Sequence, residues 1–325
     1  AGEGAARVAW AAGLLSNTAL EPKLKELLAG RPATQAAAVR AVRSTAPAVK
    51  ERAAALLGNL CGEASCRAAL AADTTAIAAL LVLLPAELPA AKAPAAPAGG
   101  LLPLGRKKRK GLAPVGEAAM GALAALGNCM LEEAAQAAVV ELKGVPRLVA
   151  HLGAAEEAAV ARAAACVARA AKAPGGAAAA VACGGVEALV AAASKGPAAQ
   201  EPAVRGLAVC VASEPEAAAE ALCACGGLKA LVGVVADAEA GDQAVGNAAL
   251  TLANVAKDSD RLIELAGLGA VQPLTTVAHK RKGAAQKNAA IAMARLAQHP
   301  KCLEELRANH GIEIIAQYVG PQGAR

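Results

Sequence analysis

The amino-acid sequence predicts an all-α solenoid of about seven stacked helical repeats. About 30% of its 325 residues are Ala, the strongest helix former, whereas aromatic residues make up 1% and Phe is absent. Two sets of related residues recur every 41 to 43 positions, a period typical of helical repeat proteins. A unit of this size cannot cover its own apolar face, so neighbouring units must stack.

Composition narrows the class of protein. With 18% charged residues and a mean hydropathy of +0.41, the chain is too apolar to be disordered. Its longest apolar run, residues 76–84, is too short to span a bilayer, so we expect no membrane partner. The nine Cys residues lie in apolar helical stretches, which predicts free thiols and a reducing, cytoplasmic setting. The net charge of +6 is modest and does not favour nucleic acid as a partner.

The first recurring set marks the start of a short helix in each repeat, at Val145, Val186, Leu228, Val271 and Ile312. The second set, here called the ladder row, lies near the end of a longer helix, at Asn17, Asn59, Asn128, Arg169, Val211, Asn254 and Arg295. The spacing from Asn59 to Asn128 is 69 residues, which is one period of 42 plus 27. One repeat is therefore expected to carry an insertion of about that size.

The insertion is assigned to residues 85–114, which combine several Pro residues, a Gly pair and a basic block. Pro and Gly at this density predict a flexible loop between two helices of one repeat. The predicted domains are N-terminal repeats at 1–84, the first of them partial, the insertion at 85–114, C-terminal repeats at 115–319 and a tail at 320–325. The basic block is open to three interpretations, namely a solubilising loop, a tether to an acidic surface such as nucleic acid or acidic protein tails, and a nuclear-import signal. Its members are Arg106, Lys107, Lys108, Arg109 and Lys110.

Each unit has about 42 residues, with a short helix that begins at a Gly and a longer helix that ends in a recurring signature. The signature is Leu-Gly-Asn-Leu at 57–60 and Leu-Gly-Asn-Cys at 126–129. A unit of this kind resembles the armadillo repeat. The resemblance implies three helices per repeat, stacked into a right-handed superhelix whose third helices line a concave groove. HEAT repeats are the alternative fold. The Gly-Gly or Gly-Ala helix starts and the recurring Asn favour the armadillo type.

Groove residues follow from helical geometry, because residues seven apart lie on one face of a helix. Seven positions before each ladder residue lies the upstream row, which consists of Trp10, Arg52, Gly121, Arg162, Val204, Asn247 and Asn288. The candidate partner-binding residues are Asn17, Asn59, Asn128, Arg169, Asn254 and Arg295 of the ladder row and Arg52, Arg162, Asn247 and Asn288 of the upstream row.

The chemistry of these residues suggests an extended protein segment as the partner. In the armadillo family the ladder Asn commonly fixes the main chain of an extended peptide, and a carboxamide offers both a donor and an acceptor. The alternative is that each Asn only closes a turn of its own helix. Arg pairs well with carboxylates, so the four Arg positions predict a partner with acidic side chains. Nuclear-import adaptors of the family place Trp one turn before the ladder Asn, where this chain has small or aliphatic residues instead.

No constellation for catalysis is apparent. The four His residues are expected to be exposed or to cap helices: His151, His279, His299 and His310. Cys223 and Cys225 lack the second pair of ligands that a metal site needs, and Cys225 occupies the same repeat slot as Cys183, which predicts a small buried residue. We therefore expect no enzyme activity, no metal and no cofactor.

The sequence thus predicts a non-enzymatic protein–protein interaction scaffold. Residues 287–297 and 310–315 are similar to armadillo domains of ciliary proteins, including the tetratricopeptide-plus-armadillo type that assists dynein-arm assembly. This resemblance implies a cytoplasmic location in the cilium or axoneme, as part of the cytoskeleton. A nuclear or signalling adaptor is the alternative, and an enzyme with an unrecognised site is a remote one.

Overall fold

The computed structural model describes residues 2–87 and 115–319, and within them the regular structure is entirely helical. The chain forms two compact units, unit 1 at 1–173 and unit 2 at 174–325. Residues 88–114 of the predicted insertion, with its basic block, and the predicted tail lie outside the described residues. The predicted division into domains stays a prediction.

Unit 1 contains ten α-helices in the described residues. They are α1 (Gly2–Thr18), α2 (Pro22–Ala29), α3 (Pro32–Val42), α4 (Pro47–Leu60), α5 (Ala64–Ala71), α6 (Thr74–Val82), α7 (Glu117–Cys129), α8 (Glu133–Glu141), α9 (Val145–Ala150) and α10 (Glu157–Ala170), with a 3₁₀ turn at His151–Gly153 after α9. Three complete three-helix repeats follow α1, and each ends in a longer third helix. The predicted insertion separates the second helix α6 from the third helix α7 of one repeat.

Unit 2 contains eleven α-helices in its described part. They are α11 (Gly176–Ala182), α12 (Gly185–Ala193), α13 (Pro197–Ser213), α14 (Pro215–Ala224), α15 (Gly227–Ala236), α16 (Asp242–Val255), α17 (Ser259–Gly267), α18 (Val271–Lys280), α19 (Gly283–Leu296), α20 (Pro300–Ala308) and α21 (Gly311–Val319). Three complete repeats are followed by the first two helices of a further one. The all-α solenoid predicted from the sequence is confirmed.

Local sequence explains where the helices begin. Several helices have a Pro in their first turn, as α4 has at Pro47. Backbone N–H groups of the first turn have no acceptor within the helix, so a Pro there removes no helical hydrogen bond. Asp73 caps α6 by accepting a hydrogen bond from the backbone N–H of Ala76 at 2.9 Å. Gly184 and Gly226 turn the chain between first and second helices with φ values of 74° and 72°, which favour glycine. The Gly-Gly segments are thus helix junctions, as the sequence indicates.

The third helices of unit 1 pack closely because small residues lie at their contacts. A Cβ placed on Gly121 of α7 would lie 2.8 Å from the backbone N of Ala55 in α4, and one on Gly58 would lie 3.0 Å from the Cβ of Ala124. Large aliphatic side chains such as Leu57 and Leu126 are fully buried beside them. Neighbouring third helices therefore approach almost backbone to backbone.

No single helix in the described ranges is both long enough and apolar enough to span a membrane, whereas three sharply bent pairs of consecutive helices are so by length and composition.

Candidate functional site

The third helices carry both predicted rows. In unit 1 the rows lie on α1, α4, α7 and α10, and in unit 2 on α16 and α19. All ten candidate binding residues keep part of their surface exposed. Helical geometry therefore places them as expected, and their role in binding stays a prediction.

The ladder Asn residues of unit 1 connect neighbouring repeats. Asn59 Nδ2 on α4 donates to the Ser16 carbonyl oxygen at the end of α1, at 2.9 Å, and lies 3.2 Å from Ser16 Oγ. Asn128 Nδ2 on α7 donates to the Gly58 carbonyl oxygen at the end of α4, at 3.1 Å. Each acceptor belongs to the last turn of its helix, where carbonyl groups have no helical N–H partner.

The upstream row repeats the same geometry. Arg162 Nη1 on α10 donates to the Met120 carbonyl oxygen on α7 at 3.1 Å, and Asn288 Nδ2 on α19 donates to the Gly246 carbonyl oxygen on α16 at 2.9 Å. In all four bridges the acceptor is the residue just before the equivalent row position of the preceding repeat. The rows thus fasten third helices to one another.

This finding corrects one alternative from the sequence. Asn59 and Asn128 do not close a turn of their own helix, because their amide groups donate to the preceding repeat. A carboxamide has two N–H donors and an acceptor oxygen, so a bridge through Nδ2 leaves Oδ1 for a further partner. The bridges hold that oxygen in a fixed orientation.

On α13 both rows are displaced by one residue from the predicted positions. Val204 and Val211 are buried in the core, whereas Arg205 and Ala212 retain exposed surface. Arg205 lies 43 residues after Arg162 and 42 before Asn247, so the extra residue of this repeat precedes α13. The exposed polar residue that the sequence analysis missed is Arg205, and its signal was the apolar spacing of Val204, Leu207 and Val211 around it.

Gly121 was also wrongly placed in the groove. Its Cα is buried where α7 crosses α4, and the α4 backbone leaves no space for a side chain. Its role is close helix packing.

Unit 1 contains a pocket between α1 and α4, with a volume of about 420 Å³. Trp10, Asn17 and Arg52 line it together, and Gly13 leaves space between them. Trp10 is 71% exposed, so its indole faces solvent without a packing partner that covers it. The pocket therefore offers an aromatic surface, a carboxamide and a guanidinium group at one place.

Unit 2 contains a comparable pocket of about 260 Å³ on α13, α16 and α19. Arg205, Asn247 and Asn288 line it, and Glu201 and Gln243 add polar groups. The upstream-row positions of three successive third helices thus meet on one surface, once α13 is shifted by one residue.

Ion pairs within the rows reduce their positive charge. Arg52 Nη1 lies 3.9 Å from Glu117 Oε2, and Arg205 Nη1 lies 3.1 Å from Glu201 Oε1. The first pair is long and its carboxylate is 94% exposed, so its contribution to stability is small. The Arg52 guanidinium is therefore only weakly paired with Glu117.

The thiols only partly match the expectation of buried packing residues. Burial raises the pKa of Cys166 and of Cys210 to about 12, so both stay protonated. Cys183 and Cys225 occupy equivalent slots, since each thiol lies 3.4 Å from the carbonyl oxygen three residues earlier. Cys225 is nevertheless exposed, which corrects the prediction of burial, because its side chain lies at a helix end beside the Gly226 turn.

The structure contains a thiol pair that was not predicted from the sequence. Cys61 at the end of α4 and Cys66 in α5 are buried, with their sulfur atoms 3.8 Å apart. The hydrogen bond that Cys61 donates to Cys66 raises the pKa of Cys61, and burial raises it further. In the described ranges, no group of three or more His, Cys, Asp and Glu side chains is arranged to hold a metal ion.

His151 lies at the C-terminal cap of α9, which is one of the two roles expected for the His residues, but it is not exposed. Its side chain is fully buried, and Nδ1 donates to the Arg147 carbonyl oxygen at 2.7 Å. Nε2 is buried without a hydrogen-bond partner in the described part of the chain. Burial lowers the pKa of His151, so the ring is neutral at pH 7.

Known structures share this architecture. An engineered protein is 25% identical, with a TM-score of 0.63, 81% of this chain covered and 96% of that one. A designed armadillo repeat protein is 21% identical, with a TM-score of 0.62 and coverage of 80% and 98%. Computationally designed armadillo repeat proteins for modular peptide recognition are 20% identical, with a TM-score of 0.62 and coverage of 79% and 98%. No protein-family model and no curated protein sequence matches the chain.

The chain therefore belongs to the class of α-solenoids. Among them its fold is armadillo-like, because designed armadillo proteins align along almost their whole length.

Proposed function

We propose that the chain is a non-enzymatic scaffold that binds extended segments of partner proteins along its third helices. The observation that carries the proposal is the pocket of unit 1, where Trp10, Asn17 and Arg52 meet in about 420 Å³ of open space. An exposed indole beside a carboxamide suits a peptide, because the ring packs on a side chain while the amide bonds the main chain.

The repeat geometry supports an extended ligand. Polar row residues recur once per repeat on neighbouring third helices, and the bridges of Asn59 and Asn128 fix their carboxamides in place. Preorganised groups of this kind bind with a smaller entropy cost than mobile ones. The likeness to armadillo proteins designed for modular peptide recognition supports the same function.

The proposed partner segment carries acidic side chains. Arg162 and Arg169 in unit 1 and Arg295 in unit 2 lie on the rows, and guanidinium groups pair with carboxylates through two hydrogen bonds. The weak pair of Arg52 with Glu117 supports exchange for a ligand carboxylate. Acidic tails bound at the basic block 106–110 are a second proposed contact, which lies outside the described residues.

The proposed setting is the cytoplasm, in a ciliary or axonemal assembly. It rests on the sequence likeness of residues 287–297 and 310–315 alone. Localisation of the tagged protein in ciliated cells tests it, and nuclear accumulation would favour the adaptor alternative.

The binding proposal is tested with peptides selected from a random display library against the full chain. Asn17 makes no side-chain hydrogen bond in the described residues, so Asn17→Ala changes the pocket without removing a bridge. We expect this variant to bind the selected peptides several-fold more weakly. Asn309→Ala, at an exposed Asn directly after α20, is the control and should bind normally. Equal affinity of both variants and the unchanged protein would contradict the proposal for this pocket.

A further inference from the structure

Cys61 and Cys66 form a thiol pair where the third helix of one repeat joins the first helix of the next. Cys61 directly follows α4, and Cys66 lies in the first turn of α5. Their sulfur atoms are 3.8 Å apart, and both side chains are fully buried. The contact sets the pair apart, because other thiols donate to backbone carbonyl oxygens instead. Those thiols belong to Cys129, Cys166, Cys183 and Cys225.

Close packing does not by itself require two thiols at this junction. In the next repeat the equivalent positions, 69 residues later, hold Met130 and Ala135, and both are fully buried. At the junction of α19 and α20 the equivalent positions hold Ala297 and Cys302. Cys302 thus occupies the slot of Cys66 without a thiol in the slot of Cys61. Among these three junctions, two facing thiols are particular to that of α4 and α5.

The hydrogen bond between the two thiols makes them chemically unequal. Cys61 donates it and Cys66 accepts it. The bond lowers the pKa of Cys66, although burial acts in the opposite direction, and it raises the pKa of Cys61. By contrast, burial raises the pKa of Cys166 to about 12. Because the thiolate is the reactive form of Cys, Cys66 is the nucleophile of the pair.

The pair lies beneath a turn at the protein surface. Three of the four residues that separate the thiols are exposed, namely Gly62, Ala64 and Ser65. Local opening of such a turn needs less free energy than global unfolding, and it admits small molecules to the groups just below. Hydrogen peroxide is close to water in size, so it reaches the sulfur atoms by this route.

We propose that hydrogen peroxide converts Cys61 and Cys66 into a reversible disulfide bond. The Cys66 thiolate attacks one peroxide oxygen, so an S–O bond forms, the O–O bond breaks and the released hydroxide takes up the proton that Cys66 lost. The Cys61 sulfur then attacks the Cys66 sulfur, so the S–S bond forms, the S–O bond breaks and the leaving hydroxide takes the Cys61 proton. The two thiols lose two electrons in total, and peroxide is reduced to two molecules of water.

The structure shows the thiol form of this site. A disulfide in a reducing compartment is typically transient and serves in catalysis or redox sensing, and thiol–disulfide exchange with a small dithiol restores the thiols. The bond joins α4 to α5, and hence two adjacent repeats. The site therefore places a reversible covalent link at a junction between repeats.

Peptide mapping of the full chain tests the proposal, because both thiols fall in one tryptic peptide, residues 53–67. The protein is treated with hydrogen peroxide at concentrations that leave its circular dichroism unchanged, the remaining thiols are alkylated in denaturant, and the digest is analysed by mass spectrometry. We expect peptide 53–67 to carry no alkyl group and to be two hydrogen atoms lighter than its thiol form. Cys302 should stay alkylated at several-fold higher peroxide concentrations, and dithiothreitol should restore both thiols of the peptide.

Three variants separate the roles of the thiols. Cys66→Ser should abolish the disulfide and leave Cys61 unreactive towards peroxide. Cys61→Ser should leave Cys66 as a sulfenic acid, which dimedone traps. Cys302→Ser is the matched control, since it changes the equivalent repeat position, and peptide 53–67 should oxidise in it as in the unchanged protein.

The decisive outcomes are read on the unchanged protein, so they do not depend on whether a variant folds. Peptide 53–67 that stays doubly alkylated throughout the peroxide range would overturn the proposal. A disulfide from Cys61 or Cys66 to any other Cys would do so too, as would conversion of Cys66 to sulfinic acid without a disulfide.

Discussion

The row residues of this protein have two different physical roles. Asn128 donates to the last turn of α4, whereas Asn17 makes no side-chain hydrogen bond in the described residues. The same residue type at the same repeat position therefore stabilises the fold in one repeat and is available to a ligand in another.

The bridge predicts different stabilities for two Asn variants. Asn128→Ala should lower the free energy of unfolding by about 1 kcal/mol, since it removes one hydrogen bond and leaves the Gly58 carbonyl unpaired. Asn17→Ala should change it little. Urea denaturation measures both, and equal losses would show that the bridge adds nothing.

His151 predicts a pH dependence of stability. Burial lowers its pKa in the folded protein, so below the unfolded value of about 6.5 only the unfolded chain takes up the proton. The free energy of unfolding should therefore fall as the pH falls from 7 to 5. His151→Gln should reduce this dependence, and His279→Gln, at an exposed position, should leave it unchanged. An identical pH profile for all three proteins would contradict the assignment.

Gly121 gives a prediction about helix packing. Gly121→Ala should destabilise the protein by about 1–3 kcal/mol, because the new Cβ would meet the α4 backbone at 2.8 Å. Gly233→Ala on α15 is the control, since nothing lies within 4 Å of its added Cβ. It should be neutral or stabilising because Ala favours helix. Chemical denaturation distinguishes the two, and equal effects would contradict the packing argument.

At the scale of the helix, α13 shows where sequence reasoning ends. The 42-residue period correctly predicts the repeats and places all ten candidate residues where they are at least partly exposed. One repeat near α13 is 43 residues long, however, and the repeat spacing allows its extra residue to lie either before or after Val211. Only the packing of α13 decides between these two alignments. The close backbone approach at Gly121 and the contact of Cys61 with Cys66 likewise depend on distances across helices, which a linear pattern does not contain.

The position of α13 has a direct test. Val204→Lys should destabilise the protein by several kcal/mol, because it places an unpaired charge in the core. Arg205→Val should cost at most about 1 kcal/mol, since it removes only a partly exposed ion pair with Glu201. Thermal unfolding compares the variants, and the opposite order would restore the original alignment of the rows.

The whole molecule combines these repeats into two units whose third helices carry polar rows. Reversal of charge at the rows should lower affinity for an acidic extended peptide and raise it for a basic one. Arg169→Glu tests unit 1 and Arg295→Glu tests unit 2, by fluorescence anisotropy of labelled peptides. Unchanged binding in both variants would remove the rows as the source of charge preference.

The most direct test of the central claim uses the only Trp of the chain, Trp10, which lines the pocket of unit 1. Its fluorescence should change saturably as a selected peptide is added, because a ligand in the pocket covers an indole that is 71% exposed. The same titration with Asn17→Ala should saturate at several-fold higher peptide concentration. A peptide that binds by anisotropy without any change in Trp10 emission would contradict the assignment of this pocket as the binding site.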